Sequence, residues 1–348
     1  MPADAVLVHA PSFAFQAQGG GENQLVQTSK SLDAMGIPVR PFSPWTDRLE
    51  EARLIHLFGM SREGLELARL ARSRGVPVVL SPICWFEPRA MAALAPSRGR
   101  AALALGAWAA RRVLPGLPGW RRELLALSDA ILPNSEAEAW QLARLFGADR
   151  AKIHVVPNGV DPRFATADAG AFRAIRGDRD FVLYVGRIEP RKNVLGLIRG
   201  AKLAGLPLVI IGAVVPGHEG YGEACRREGR GVATFVERLD HEDSVLASAM
   251  AAARVFALPS WFETPGLAAL EAAMAGSAVV ITPYGCTREY FGDRVIYARP
   301  GDDRAIARSL ARAWDDGPDP GLAGHVAANF TWSAVATATG EAYDRVAA

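Results

Sequence analysis

Cysteine is scarce in this chain. Its 348 residues hold three, Cys84, Cys225 and Cys286, and no two form a Cys-x-x-Cys pair. That excludes a disulfide framework and a zinc ribbon, and a reduced, cytoplasmic compartment is the simplest reading. No run of about 18 uncharged apolar residues exists to span a bilayer as a helix. Excess charge of one sign is missing too: the formal net charge is +2, which argues against nucleic acid or any other general polyanion as partner. Internal repeats and low-complexity tracts are absent. So is Gly-x-Gly-x-x-Gly, which argues against a dinucleotide-dependent oxidoreductase. The start, Met1-Pro2-Ala3-Asp4, lacks the basic region of a signal peptide, so the apolar run after it reads as a first core strand.

What is present is core-forming sequence. Half of the residues are hydrophobic, and the length is about two domains' worth at ~150 residues each. Short apolar runs alternate with helical patterns, the sequence form of an α/β fold with parallel sheets covered by helices. The first set of runs falls at 5–10, 54–58, 77–80, 130–132 and 153–156. The second falls at 181–185, 207–211, 232–236, 255–258 and 278–281. Pro157-Asn158-Gly159-Val160-Asp161-Pro162 lies between them and reads as a linker, giving domains at 1–165 and 166–330. From Trp332 onward the chain reads as a helix with Trp332, Val335, Ala336, Tyr343 and Val346 on one face, able to dock on either domain.

The most informative feature is a pair of glutamates eight positions apart, Glu263 and Glu271, in Pro-Ser-Trp-Phe-Glu-Thr-Pro-Gly-Leu-Ala-Ala-Leu-Glu-Ala-Ala-Met-Ala-Gly. The strand at 255–258 ends before them, so Glu263 falls in the strand-end loop and Glu271 on the following helix. In an open α/β sheet, ligands sit beyond the carboxyl ends of the strands, where helix N-termini offer free N–H groups. Two carboxylates there suit a polyhydroxylated ligand, because ionised carboxylates accept strong hydrogen bonds from hydroxyls. Glu263 alone could equally cap the helix. Glu271 sits in an Ala-rich, largely buried helix, where an unpaired carboxylate costs several kcal/mol, so it calls for a partner.

Three further segments carry chemistry. Gln18-Gly19-Gly20-Gly21-Glu22-Asn23 follows the first strand and precedes a helix; its glycines let backbone amides approach a phosphate, or they mark a flexible turn. In Tyr184-Val185-Gly186-Arg187-Ile188-Glu189-Pro190-Arg191-Lys192-Asn193, Gly186 ends a strand and Arg187 and Lys192 lie in the loop after it. A guanidinium and an ammonium together neutralise a diphosphate, unless the loop is only a solvated basic one. In Thr282-Pro283-Tyr284-Gly285-Cys286-Thr287-Arg288-Glu289, Thr287 and Glu289 either line the same crevice or Thr287 merely caps a short helix.

Taken together, Gly19 to Gly21, Pro157 to Asp161, Gly186-Arg187 with Lys192-Asn193, and Glu263, Gly266, Leu267 and Glu271 resemble the retaining glycosyltransferases of family 4. The wording around Glu263 and Glu289 is similar to members that build bacterial surface polysaccharides such as O-antigen. The resemblance implies GT-B architecture, two Rossmann-like domains facing each other across a cleft. The first would bind the acceptor and the second a nucleotide sugar, with a terminal helix at 331–348 crossing back to the first. It implies transfer of a hexose from a UDP- or GDP-linked donor to a hydroxyl of a glycan or lipid-linked acceptor, with retention. Arg187 and Lys192 would hold the diphosphate. Glu263 and the amides of Gly266 and Leu267 would bind sugar hydroxyls, and Glu271 the ribose. No cofactor or metal is expected: the Asp-x-Asp of Asp178 and Asp180 precedes a strand, at the wrong end of the sheet.

Relatives place a histidine just after the strand at 77–80, where this chain reads Ser81-Pro82-Ile83-Cys84-Trp85-Phe86, so no catalytic base is assigned. His9 and His56 lie on apolar strands, where a histidine is more often a satisfied core residue. The segment 89–122 holds Arg89, Arg98, Arg100, Arg111, Arg112, Arg121 and Arg122, no acidic residue, and Trp108 and Trp120. It reads either as a basic element on an anionic membrane, at the inner face of the cytoplasmic membrane, or as ordinary helices with solvated arginines. Two other functions stay open: a sugar-nucleotide epimerase of the same fold, and a catalytically silent sugar-nucleotide-binding subunit.

Overall fold

The computed structural model describes residues 5–12, 14–17 and 19–347. Residues 1–4, Phe13, Gln18 of the glycine segment and Ala348 lie outside the described residues. Two compact units divide the chain: Met1–Gly159 with Trp332–Ala348, and Val160–Thr331. The division falls six residues ahead of the expected boundary at 165. The reason is local: the Val160 N–H donates to the Phe330 carbonyl at 3.0 Å and Val160 bridges Thr331, so the two crossing segments are zipped together inside the second unit.

In the first unit the strands β1 (Val6–His9), β2 (Val39–Pro41), β3 (Leu54–Phe58), β4 (Val78–Ser81) and β5 (Ala130–Ile131) form a parallel sheet ordered β2-β1-β3-β4-β5. Four of the five expected runs appear. β2 was not expected, because three half-exposed edge residues carry no apolar run. The run at 153–156 is not a strand. His154 and Val156 donate to the carbonyls of Ile131 and Pro133, but proline has no N–H to return the bond and the ladder ends at one bridge, Ile131 to Ile153.

The second unit holds β6 (Val182–Val185), β7 (Leu208–Ile211), β8 (Ala233–Val236), β9 (Val255–Leu258), β10 (Ala278–Ile281) and β11 (Ile296–Tyr297), parallel in the order β11-β10-β9-β6-β7-β8. Strands β7, β9 and β10 are buried along their whole length, as unbroken hydrophobic runs require when helices cover both faces. β11 was not anticipated; it is two half-buried residues at an edge.

Strand order fixes where ligands can sit. In such sheets they bind beyond the carboxyl ends at the point where the winding direction reverses. In the second unit that point lies between β6 and β9, which lead into Gly186-Arg187 and the Glu263 loop. In the first it lies between β1 and β3.

The terminal helix Trp332–Ala347 belongs to the first unit. Trp332, Val335, Ala336 and Tyr343 are buried as the pattern predicts, Val346 only partly, and Thr339 and Gly340 join them. Its anchor is polar: the Tyr343 hydroxyl lies 2.7 Å from Nδ1 of His56, whose Nε2 lies 2.9 Å from the Ser81 hydroxyl. His56 is thus a satisfied core residue. Burial holds its pKa down to about 3, so it stays neutral.

Candidate functional site

The centre of the second unit's site is an ion pair. The Lys192 Nζ donates to Glu263 Oε1 at 2.6 Å, with side chains only 14% and 5% exposed. The two residues come from loops on either side of the switch point. Asn193, in left-handed conformation at φ 53°, sends its side-chain amide to the Pro259 carbonyl at 3.1 Å and so ties the β6 loop to the end of β9. Trp261 N–H donates to the Arg191 carbonyl at 2.9 Å and adds a second tie.

Around the pair the charges alternate. Glu189 Oε1 receives Arg191 Nη2 at 3.1 Å and Arg187 Nη2 at 3.3 Å. Arg191 also stacks over the Phe262 ring at 5.1 Å and donates to the Phe262 carbonyl. Burial lowers the Lys192 pKa to about 8, with Arg191 and Arg187 pushing the same way against the pull of Glu263. Burial alone would raise the Glu263 carboxyl; Lys192 and Arg191 outweigh it and hold the group below its ordinary value. The site therefore presents a carboxylate and several cations at the end of β6 and β9. A buried ammonium whose charged form is disfavoured by burial gains from an anion placed beside it.

Two glycines build the Glu263 loop. Gly285 has φ 97°, and a Cβ there would fall on the Glu263 carbonyl oxygen, so only glycine permits the Glu263–Gly285 bridge. Gly266, at φ 93°, sits just before the helix Leu267–Met274. It turns the chain into that helix, whose first amides no carbonyl of the helix can reach. Glu271 is one helical turn deeper and 6% exposed. Its Oε1 lies 2.7 Å from Nε2 of His241, a residue the sequence reading passed over. Burial lowers the His241 pKa and the hydrogen bond and charge of Glu271 more than restore it, for a net rise.

Two expectations need correction. Thr287 does not line a crevice and does not cap. It is buried in the first turn of the helix Thr287–Phe291, and its hydroxyl donates to the Thr282 carbonyl at 2.8 Å, pinning the turn after β10. Glu289 is exposed on the same short helix. Gly20 and Gly21 are not loop residues: they form the first turn of the helix Gly20–Ala34, and Gly19 precedes it with its N–H donated to Glu22 Oε2 at 2.7 Å. The Gly19 amide is thereby taken by a carboxylate of the protein itself, because a Glu three residues on can fold back to the amide before a helix.

The arginines of 89–122 are placed differently from a free basic face. Arg111 lies over Phe146, Arg112 over Trp108, and Arg121 over Trp120 at 4.2 Å, while Arg122 donates to the Pro115 carbonyl. Trp108 and Trp120 pack against the core of the first unit instead of protruding. Of the helices Pro88–Ala93, Arg98–Val113 and Trp120–Leu127, the second alone has no buried residue. No helix among the described residues is long and apolar enough to cross a membrane.

The strand orders and the loops at their carboxyl ends define a pair of nucleotide-binding-type α/β units, and comparison with known proteins assigns them. Residues 53–164 match the family model Glycosyltransferase Family 4, and residues 169–323 match Glycosyl transferases group 1. The first match falls almost entirely in the first unit and the second match within the second unit. It is 34% identical over 249 residues to D-inositol 3-phosphate glycosyltransferase 2 of Catenulispora acidiphila, a match covering 64% of this chain and 57% of that protein. The chain spans about half the length of the curated relatives it matches. Among solved structures it superposes on sucrose-phosphate synthase of Thermosynechococcus elongatus with a TM-score of 0.76 at 20% identity, covering 98% of both chains. HepE of Anabaena in complex with UDP and glucose gives a TM-score of 0.73 at 17% identity, over 98% of this chain and 99% of that one.

Proposed function

We propose that this protein is a retaining glycosyltransferase that moves a hexose from a UDP- or GDP-linked donor to a hydroxyl of a glycan or lipid-linked acceptor, without a metal. The observation that carries the reading is the Lys192–Glu263 pair beside Arg187 at the switch point of the second unit. Arg187 and Lys192 supply the positive charge that a departing diphosphate requires, at the place where negative charge grows. Glu263 and the Gly266 and Leu267 amides take hydroxyls of the transferred sugar, and Glu271 those of the ribose. The HepE neighbour, solved with UDP and glucose, favours a donor of this class. Metal independence draws support from Asp180, which precedes β6 and is bound by Arg254 Nη1 at 3.0 Å, at the amino end of the sheet. An acceptor on the route to bacterial surface polysaccharide fits the family wording around Glu263.

The test is a melting-temperature screen of UDP- and GDP-sugars followed by product analysis with EDTA present. A sugar product retaining the donor's anomeric configuration is expected. Loss of activity in EDTA that magnesium or manganese restores would overturn the metal-free scheme, and donor isomerised without an acceptor product would favour an epimerase.

Membrane contact is a second part of the proposal. The helix Arg98–Val113 leaves Leu103 76% and Val113 74% exposed, with Arg98 and Arg100 on it and no acidic residue, the composition of a helix lying on anionic lipid.

A further inference from the structure

His241 lies after β8 and ahead of the helix Ser244–Ala252, thirty residues from Glu271 in sequence. Its Nε2 faces Glu271 Oε1 at 2.7 Å, with side chains 18% and 8% exposed. A carboxylate only accepts, so Nε2 carries the proton, whichever charge the ring has. The ring's other nitrogen, Nδ1, is buried without a hydrogen-bond partner, so this histidine makes a single directed bond and that bond goes to Glu271.

The histidine is itself held. Arg163 Nη2 donates to the His241 backbone carbonyl, and the Arg163 guanidinium lies 3.6 Å from Asp161 and 3.8 Å from Glu242. Asp161 in turn caps the short helix Pro162–Thr166 by accepting from the Arg163 N–H at 2.9 Å. The Phe164 ring lies 6.0 Å from the imidazole. The segment around Asp161, which sequence reading took only as a linker, therefore reaches Glu271 through two contacts: Asp161 and Arg163 set the His241 backbone, and His241 sets the carboxylate.

We propose that His241 is a positioning residue which fixes the Glu271 carboxylate so that the site selects a ribonucleotide over its 2′-deoxy form. The proposal rests on the nucleotide-sugar reading above. A glutamate has three rotatable bonds, and with Oε1 pinned by an N–H its second oxygen is presented in one direction. A ribose hydroxyl then meets an acceptor already in place, and the ordering of that side chain is not charged to binding. A deoxyribose leaves a buried acceptor unsatisfied, which is the stronger source of discrimination.

The experiment is calorimetric titration of UDP, GDP and their 2′-deoxy counterparts into the parent protein, His241→Ala, His241→Gln and Glu271→Gln. The parent should prefer the ribo form of the base it binds by about tenfold or more. His241→Ala should bring that preference to within about threefold, matching Glu271→Gln, with kcat of transfer changed far less than the donor KM. His241→Gln, whose amide can still donate to Oε1, should restore most of the preference. His241→Ala that keeps the parent's preference overturns the proposal and leaves the donor reading standing. Loss of all binding and of melting temperature in both His241 variants means that the residue holds the fold, and that also overturns it. A parent that binds neither UDP nor GDP removes the donor reading and this proposal with it.

Discussion

Replacing Glu263 by glutamine keeps the shape of the side chain and removes its charge, and the structure gives the consequence. Sequence reading alone predicts that loss of Glu263 leaves nucleoside diphosphate binding nearly unchanged, since the residue would touch only the transferred sugar. The 2.6 Å contact with Lys192 changes that expectation. Burial already brings the lysine from an ordinary value near 10.5 down to about 8 with Glu263 in place, which corresponds to about 3 kcal/mol against the ammonium form. A unit charge at contact is worth on the order of 4 kcal/mol at an effective dielectric constant of ~20. Without it, Lys192 falls well below neutrality and is uncharged at pH 7. Binding a diphosphate must then recharge it. The penalty is on the order of tenfold to a hundredfold at pH 7, and it grows about tenfold with each pH unit because the proton must come from solvent. In the parent the same effect appears only above about pH 8, where the folded lysine loses its proton. The assay is calorimetry of UDP and GDP binding to Glu263→Gln at pH 7, 8 and 9, in buffers of different ionisation heat. Uptake of about one proton per nucleotide is expected. A variant that binds as the parent does, flat across those pH values and without proton uptake, would show that Lys192 does not depend on Glu263 for its charge.

Arg187→Ala should lower turnover by two or more orders of magnitude with the melting temperature little changed, because the guanidinium is a third exposed and acts on the leaving group; near-normal kcat would remove it from the site. Gly285→Ala should cost about 2–3 kcal/mol of stability and most of the activity together, since its Cβ would displace the Glu263 carbonyl; an unchanged melting temperature would refute the close approach. The parent protein should float with vesicles containing anionic lipid and be released as salt rises. Arg98→Gln with Arg100→Gln should weaken that flotation more than Arg111→Gln with Arg112→Gln, because Arg111 and Arg112 are held over aromatic rings; the reverse order would place the contact elsewhere.

Glu263 in a strand-end loop, Glu271 on the helix after it and Arg187 at the end of a strand were all legible because each depends on a few adjacent residues. An apolar run of four marks a buried strand, Gly-Leu marks the turn into a helix, and the eight-residue interval from Glu263 to Glu271 follows. Where local signals were weak, reading failed for local reasons. β2 and β11 are too short and too exposed to form a run. Thr287 has the composition of a capping or ligand-binding residue, and only the position of the Thr282 carbonyl shows that its hydroxyl is spent inside the turn.

By itself the sequence determined the parallel α/β class and which residues stand at the ends of β6 and β9, since periodicity and punctuation by glycine and proline act within one element. Tertiary structure decided which strand ends are neighbours. Lys192 and Glu263 are 71 residues apart and meet only because β9 pairs with β6, leaving β7 and β8 on the far side. His241 and Glu271 meet for another reason: the helix Ser244–Ala252 that follows His241 packs against the helix that carries Glu271, and no spacing rule would have joined them. Strand order is set by how the helices pack back onto the sheet, a long-range property of the whole unit. It also sets the charge of Lys192, because desolvation and the Glu263 carboxylate exist only once both loops have come together.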